Sequence, residues 1–142
     1  MKNHAFLLVA ALASMTACAQ KTKEKDIPAA VTSAFQKNFP KAEELRWDKE
    51  GSNYEASFEW NEVDQSVLFD AQGNTLETEM EIAQNELPKA ALDYVAAHYN
   101  GKSVKEAAKI TDASGKVTYE VEIKGKDLMF DNSGTYLSSS ND

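Results

Sequence analysis

The chain is written twice. One copy opens with Ile27-Pro28 and continues with Val31, Phe35 and Phe39 at spacings of four. The other opens with Leu87-Pro88 and places Ala91, Val95 and Tyr99 at the matching positions. Apolar residues about one helical turn apart form a single stripe, so each segment predicts a short amphipathic helix. The proline stands near the first turn, where its missing N–H has no intrahelical partner to lose. Phe39-Pro40 stops the first helix, and Asn100-Gly101 supplies a left-handed cap for the second. A repeated unit constrains the fold more than any single motif does, because both copies must find the same solution.

After each helix the apolar period changes to two, the signature of strands with one buried face. In the first copy Leu45 and Trp47 alternate with Glu44, Arg46 and Asp48. Tyr54, Ala56, Phe58 and Trp60 then alternate with Glu55, Ser57 and Glu59. A turn at Asn61-Glu62-Val63-Asp64 leads to Val67 and Phe69. Past Asp70-Ala71-Gln72-Gly73, a last strand sets Leu76, Met80 and Ile82 between Glu77, Glu79 and Glu81. In the second copy Ala108 and Ile110 mark a first strand. Tyr119, Val121 and Ile123 alternate with Thr118, Glu120 and Glu122, and a turn at Lys124-Gly125-Lys126 leads to Leu128 and Phe130. Asp131-Asn132-Ser133-Gly134 then precedes a strand around Tyr136.

The pattern predicts an α+β domain of tandem α-β-β-β-β repeats, residues 27–82 and 83–138, forming an antiparallel sheet of about eight strands with both helices packed on one face. Whether the sheet runs unbroken through Glu81–Glu86 is left open by the pattern. Residues 139–142 read as a disordered tail.

The first residues carry an export signal. A basic start, Met1-Lys2-Asn3-His4, precedes the apolar run Ala5–Ala13. That run suits a signal peptide and is far shorter than the about 20 apolar residues a membrane-crossing helix needs. Met15-Thr16-Ala17-Cys18 resembles the lipobox of bacterial lipoproteins. Residues 1–17 are therefore expected to be removed after Ala17, leaving Cys18 as the lipid anchor. Cys18 is the single cysteine, which rules out an intrachain disulfide. Residues 18–26 contain no large apolar side chain before Ile27 and read as the lipidated cysteine with a flexible tether. The expected location is the cell envelope, attached to a bacterial membrane and facing the periplasm or the cell surface.

The full chain carries 15 Lys+Arg and 23 Asp+Glu, a formal charge of −8. Loss of residues 1–17 removes only Lys2, leaving 14 against 23, or −9. Nucleic-acid binding begins with phosphate neutralisation, so nucleic acid is a poor partner. A basic protein or peptide suits the charge, as does a divalent cation, and so does solubility alone.

The ordered pattern "[IL]P-x-x-[VA]-x-x-x-[FV]-x-x-x-[FY]", then "Y-x-[AV]-x-[FI]", then "F-D-x-x-G", found twice across residues 27–138, resembles the PepSY-like family. Its members are small exported proteins of Bacteroidetes with a fold like the β-lactamase inhibitor protein. The resemblance implies a module that binds or restrains other proteins, peptidases included, outside the cytoplasm. In the lactamase inhibitor an aromatic-rich concave sheet face does the binding. Here strand parity turns Tyr54, Phe58, Trp60, Phe69, Tyr119 and Phe130 toward the helices, which argues against lactamase inhibition.

Catalysis has little to work with. Once Cys18 carries lipid and His4 leaves with the signal, His98 is the remaining histidine, so nucleophile–base pairs and zinc sites lack candidates. No catalytic residue, metal ligand or cofactor is assigned, and the chain reads as a non-enzyme. The candidate binding face is the acidic side of the strands: Glu55, Glu59, Glu77, Glu79, Glu81, Glu120 and Glu122, with Trp60 as a partly exposed aromatic at a strand end that either anchors a partner or caps the core. Like charges on neighbouring strands cost stability, which a bound basic envelope protein or peptide would offset; a solvated face kept soluble by like charge is the other reading. The alternative is a small-ligand or calcium-binding protein. Asp70-x-x-Gly73 and Asp131-x-x-Gly134 lack the spacing of an EF-hand and read as turns.

Overall fold

The apolar stripes and the period-2 segments fold as their spacing requires. The computed structural model describes residues 20–141. It contains α1 (Ala29–Asn38) and α2 (Lys89–His98) and nine strands: β1 (Gln20–Thr22), β2 (Glu43–Glu50), β3 (Asn53–Trp60), β4 (Val63–Phe69), β5 (Thr75–Glu81), β6 (Val104–Asp112), β7 (Val117–Ile123), β8 (Lys126–Asp131) and β9 (Tyr136–Ser140). The fold is α+β with antiparallel strands. Two compact units divide the chain, the first ending at Leu76 and the second beginning at Glu77.

In the first unit the strand order is β1-β2-β3-β4, and α1 covers one face. Pro28 is the N-cap, its carbonyl accepting from Val31 N and Thr32 N. The stripe read from the sequence is buried, with Val31 at 0% and Phe35 at 3% exposure. Phe35 meets Trp47 and Phe58 edge-on, at 5.5 Å and 4.9 Å between ring centres. Ile27, Ala56, Val67 and Phe69 complete this core.

The second unit repeats the arrangement. Its strand order is β5-β6-β7-β8-β9. Pro88 caps α2, and Ala91 and Val95 pack with Leu87, Ala107, Val121, Ile123, Leu128 and Phe130. Tyr94 stacks on Tyr136 at 4.6 Å. β5, which the sequence places at the end of the first repeat, pairs with β6 of this unit.

Several expectations need correction. The segment read as a flexible tether forms β1 and a 3-10 turn at Glu24–Asp26. β1 pairs with β2, matching Lys21 with Asp48 and Thr22 with Trp47. Backbone pairing on an open strand edge needs no apolar side chains, so low hydrophobicity does not forbid it. For the same reason the tail is not wholly disordered, since Ser139 and Ser140 lie in β9 paired with β8. The described residues therefore hold nine strands, where the sequence predicts about eight. Ala108 and Ile110 do not face α2; Ala107 does. A bulge between Val104 and Glu106 shifts the parity of β6 by one. Met80, expected in the core, is 38% exposed. Residues 1–19, with the expected signal peptide, its cleavage position Ala17 and Cys18, lie outside the described residues, as does Asp142. Among the described residues no helix is long and apolar enough to cross a membrane.

Candidate binding face

Each unit has a second strand face, turned away from its helix, and the acidic residues singled out by alternation lie there. In the first unit β3 presents Glu55, Ser57 and Glu59 on it. The register sets Glu55 opposite Asp48 of β2 on one side and Leu68 of β4 on the other. Ser66 lies diagonally next to Glu55, opposite Ser57. In the second unit Glu120 stands between Ala108 of β6 and Met129 of β8, with Asp127 opposite Glu122. Glu79 of β5 stands opposite Ile110.

This face is not the solvated carpet of charge that alternation suggests. Glu55 is 3%, Glu79 2% and Glu120 9% exposed, and Asp127 and Ser66 are buried as well. Glu59, Glu77, Glu81 and Glu122 are half-buried. The reason is the company they keep: Leu68 in the first unit, and Ala108, Ile110 and Met129 in the second, are buried apolar residues on the same face. The first unit thus holds one buried carboxyl, Glu55, among half-exposed acids, and the second holds three, Glu79, Glu120 and Asp127. Trp60 belongs to the opposite face. It packs edge-on against Phe39 at 5.6 Å and joins the core of the first unit, so it caps the core rather than joining the acids.

Burial changes the chemistry of these groups. Desolvation, then the charges of Glu50 and Asp48, push Glu55 up to about 8, with the Ser66 hydroxyl working the other way. Glu50 is raised as well, by burial first and Asp48 second. Glu120 is pushed up to about 8 by burial, then by Asp127, Glu122 and Glu77. Oε1 of Glu55 and Oε2 of Glu120 have no hydrogen-bond partner among the described residues. Glu122 is held by Lys105, whose Nζ donates to Oε1 at 2.7 Å.

The two F-D-x-x-G segments are turns, as expected. Asp70 Oδ1 accepts from the backbone of Gln72 and Asn74, and Asp131 Oδ1 from the backbone of Ser133 and Thr135. Bonds from the Asn74 and Ser133 side chains first, and these backbone bonds after them, hold both carboxyls below their ordinary range. Asp112-Ala113-Ser114-Gly115 makes a third turn of the same kind, which the repeat pattern did not single out. Among the described residues no group of three or more His, Cys, Asp or Glu is placed to hold a metal ion. His98 is exposed, with its Nδ1 3.0 Å from the Tyr94 carbonyl and its ring stacked on Tyr94. A cavity of about 430 Å³ in the first unit lies between Lys21, Thr22 and Glu24 and the β2 residues Leu45, Arg46, Trp47 and Asp48. It was hidden from the sequence because its first wall was read as tether.

Two copies of α-β-β-β-β with one helix over an aromatic face correspond to one family model, which matches at residues 14–76 and again at 52–138. The chain belongs to the PepSY-like family. That family is provisionally described as beta-lactamase-inhibitor-like. Crystal structures agree with the assignment. A DUF2874 family protein of Bacteroides uniformis is 25% identical with a TM-score of 0.70, over 80% of this chain and 88% of that one. A BLIP-like protein of Bacteroides fragilis is 27% identical with a TM-score of 0.62, over 80% and 86%. A Bacteroides eggerthii protein provisionally described as periplasmic shares the fold, with a TM-score of 0.71 at 20% identity over 80% and 88%. No curated protein matches the chain. The PepSY-like assignment and the inhibitor-like character of the family agree with the sequence reading of fold and class.

Proposed function

We propose that this PepSY-like protein is a non-enzymatic, lipid-anchored module of the cell envelope that recognises a protein or peptide bearing a basic surface. Membership of an inhibitor-like family supports the binding reading, and the Met15–Cys18 motif supports the anchor. The observation that carries the recognition surface is the acid-rich second face of each unit, with Glu59 and Glu122 half-exposed around the buried Glu55 and Glu120. The accessible ring, rather than the buried centre, is what a partner touches first. Modulation of an envelope peptidase is the form of activity the family likeness favours.

The test is a crosslinked pull-down from native envelope with the full chain and with a Glu59/Glu77/Glu81/Glu122→Gln variant. A protein captured by the wild type and lost with the variant supports recognition through this face. Equal capture by both would sink the acidic face as the recognition surface.

A further inference from the structure

We propose that Glu55 and Glu120 are proton-loading positions, one in each unit, which keep the centre of the second face neutral and charge it when their protons leave. The inference goes beyond the recognition reading and does not depend on any partner.

The two glutamates are the same residue of the repeat. Tyr54-Glu55 and Tyr119-Glu120 occupy matching places, and Lys49 opposite Tyr54 matches Lys109 opposite Tyr119. Both side chains are more than nine-tenths buried, and each keeps one oxygen without a donor. An ionised carboxylate there would lack water, lack a full set of donors and face other acids. All three conditions favour the neutral form.

The charged neighbours can be named strand by strand. Around Glu55, β2 brings Asp48 directly opposite, with Glu50 and the cation Arg46 at the flanking positions of the same face. β4 brings Leu68 opposite, flanked by Ser66, with Asp70 just beyond the strand. Glu50 also acts on Glu55 as a like charge, which disfavours ionisation of the buried carboxyl. Around Glu120, β6 brings Ala108 opposite, flanked by Glu106 and Ile110. β8 brings Met129 opposite, flanked by Asp127 and Asp131. Glu77 of β5 and Glu122 of β7 add negative charge, the latter bound to Lys105.

The units reach the same state by different routes. The repeat aligns Asp48 and Glu50 with Ala108 and Ile110, and Ser66 with Asp127. The first unit therefore draws its neighbouring acids from the strand before the glutamate, and the second draws Asp127 from the strand after it. A basic side chain brought to either face, or a rise in pH, removes the proton and leaves a charge among charges.

The deciding experiment is a carbon-detected NMR titration of side-chain carboxyls in the full chain, labelled at glutamate and free of partner. Two glutamate resonances are expected to titrate near 8, one absent from E55Q and the other from E120Q. Ionisation of both carboxyls by about pH 6, near the ordinary carboxylate range, would overturn the proposal. Should a glutamine variant fail to fold, D48N and D127N make the assignment in its place. Each is expected to lower the midpoint of its neighbouring glutamate. Midpoints unmoved in both would overturn the neighbour relationships on which the proposal stands.

Discussion

Gly73 lies against the first turn of α1 so closely that a Cβ built on it would fall 2.6 Å from the carbonyl oxygen of Ala30. Gly134 has the same relationship to α2, its Cβ position lying 2.8 Å from the Ala91 nitrogen and 2.9 Å from Pro88 Cβ. The glycine of F-D-x-x-G thus does two things at once. It takes the left-handed backbone, at φ +84 and +86, and it admits the helix onto the sheet.

Gly115 separates these roles, because it has φ +84 with nothing within 4 Å of its Cβ position. Gly115→Ala should cost roughly 1 kcal/mol, the backbone term alone. Gly73→Ala and Gly134→Ala should cost distinctly more, about 2–4 kcal/mol, since backbone atoms of the helix must move. Chemical denaturation of the three variants measures the difference. Equal losses at all three would show that the close approach carries no energy.

Phe35 sits at the centre of the first core, with Phe39, Trp47 and Phe58 around it. Phe35→Ala should destabilise the protein by about 3–5 kcal/mol, the usual loss for a buried aromatic. Leu137→Ala, at a residue 50% exposed, should stay within about 0.5 kcal/mol of wild type. Thermal melts of the pair test whether the stripe read from sequence is the stripe that stabilises.

The helices, the aromatic face and the turns were legible because each rests on a local rule: a period of 3.6 or of 2, a proline at N-terminal turns, an Asp-to-Gly turn. What escaped was set by neighbours distant in sequence. β1 exists because β2 has an edge to pair with, and nothing in Gln20-Lys21-Thr22 announces that. The bulge at Val104/Glu106 exchanged the faces of Ala107 and Ala108. Alternation located Glu55 and Glu120 on the second face but could not tell that Leu68, Ala108 and Met129 would stand opposite them. Glu120 lies between apolar residues on both adjacent strands and Glu55 beside one on β4, and only the register reveals it.

Asp131 organises its turn through one oxygen, which accepts from Ser133 N, Thr135 N and Ser133 Oγ. Asp131→Ala leaves those donors unpaired and should lower the melting temperature by a few degrees. Asp131→Asn keeps an acceptor and should recover part of the loss. The carboxyl is held below its ordinary 3.8, so its contribution is present above that value and disappears as pH falls through the lowered midpoint. The difference between wild type and Asp131→Ala should therefore shrink in strong acid, and a constant difference down to about pH 2 would contradict the assignment.

Glu55 and Glu120 act in the opposite direction on the pH scale. Each is raised from 4.5 to about 8, so the folded protein holds protons that the unfolded chain has released. Their stabilising contribution is fully present below 4.5 and is lost as pH rises through 8. Wild type should accordingly melt at a higher temperature near pH 5 than near pH 9, a window in which turn aspartates such as Asp131 stay ionised and drop out of the comparison. Glutamine has the shape of the protonated side chain and cannot ionise. Glu55→Gln and Glu120→Gln should each match wild type near pH 5 and exceed it near pH 9 by on the order of a few kcal/mol, with flatter profiles between. Melts recorded across that range decide the matter: parallel profiles for wild type and both variants would mean that neither carboxyl is protonated in the fold.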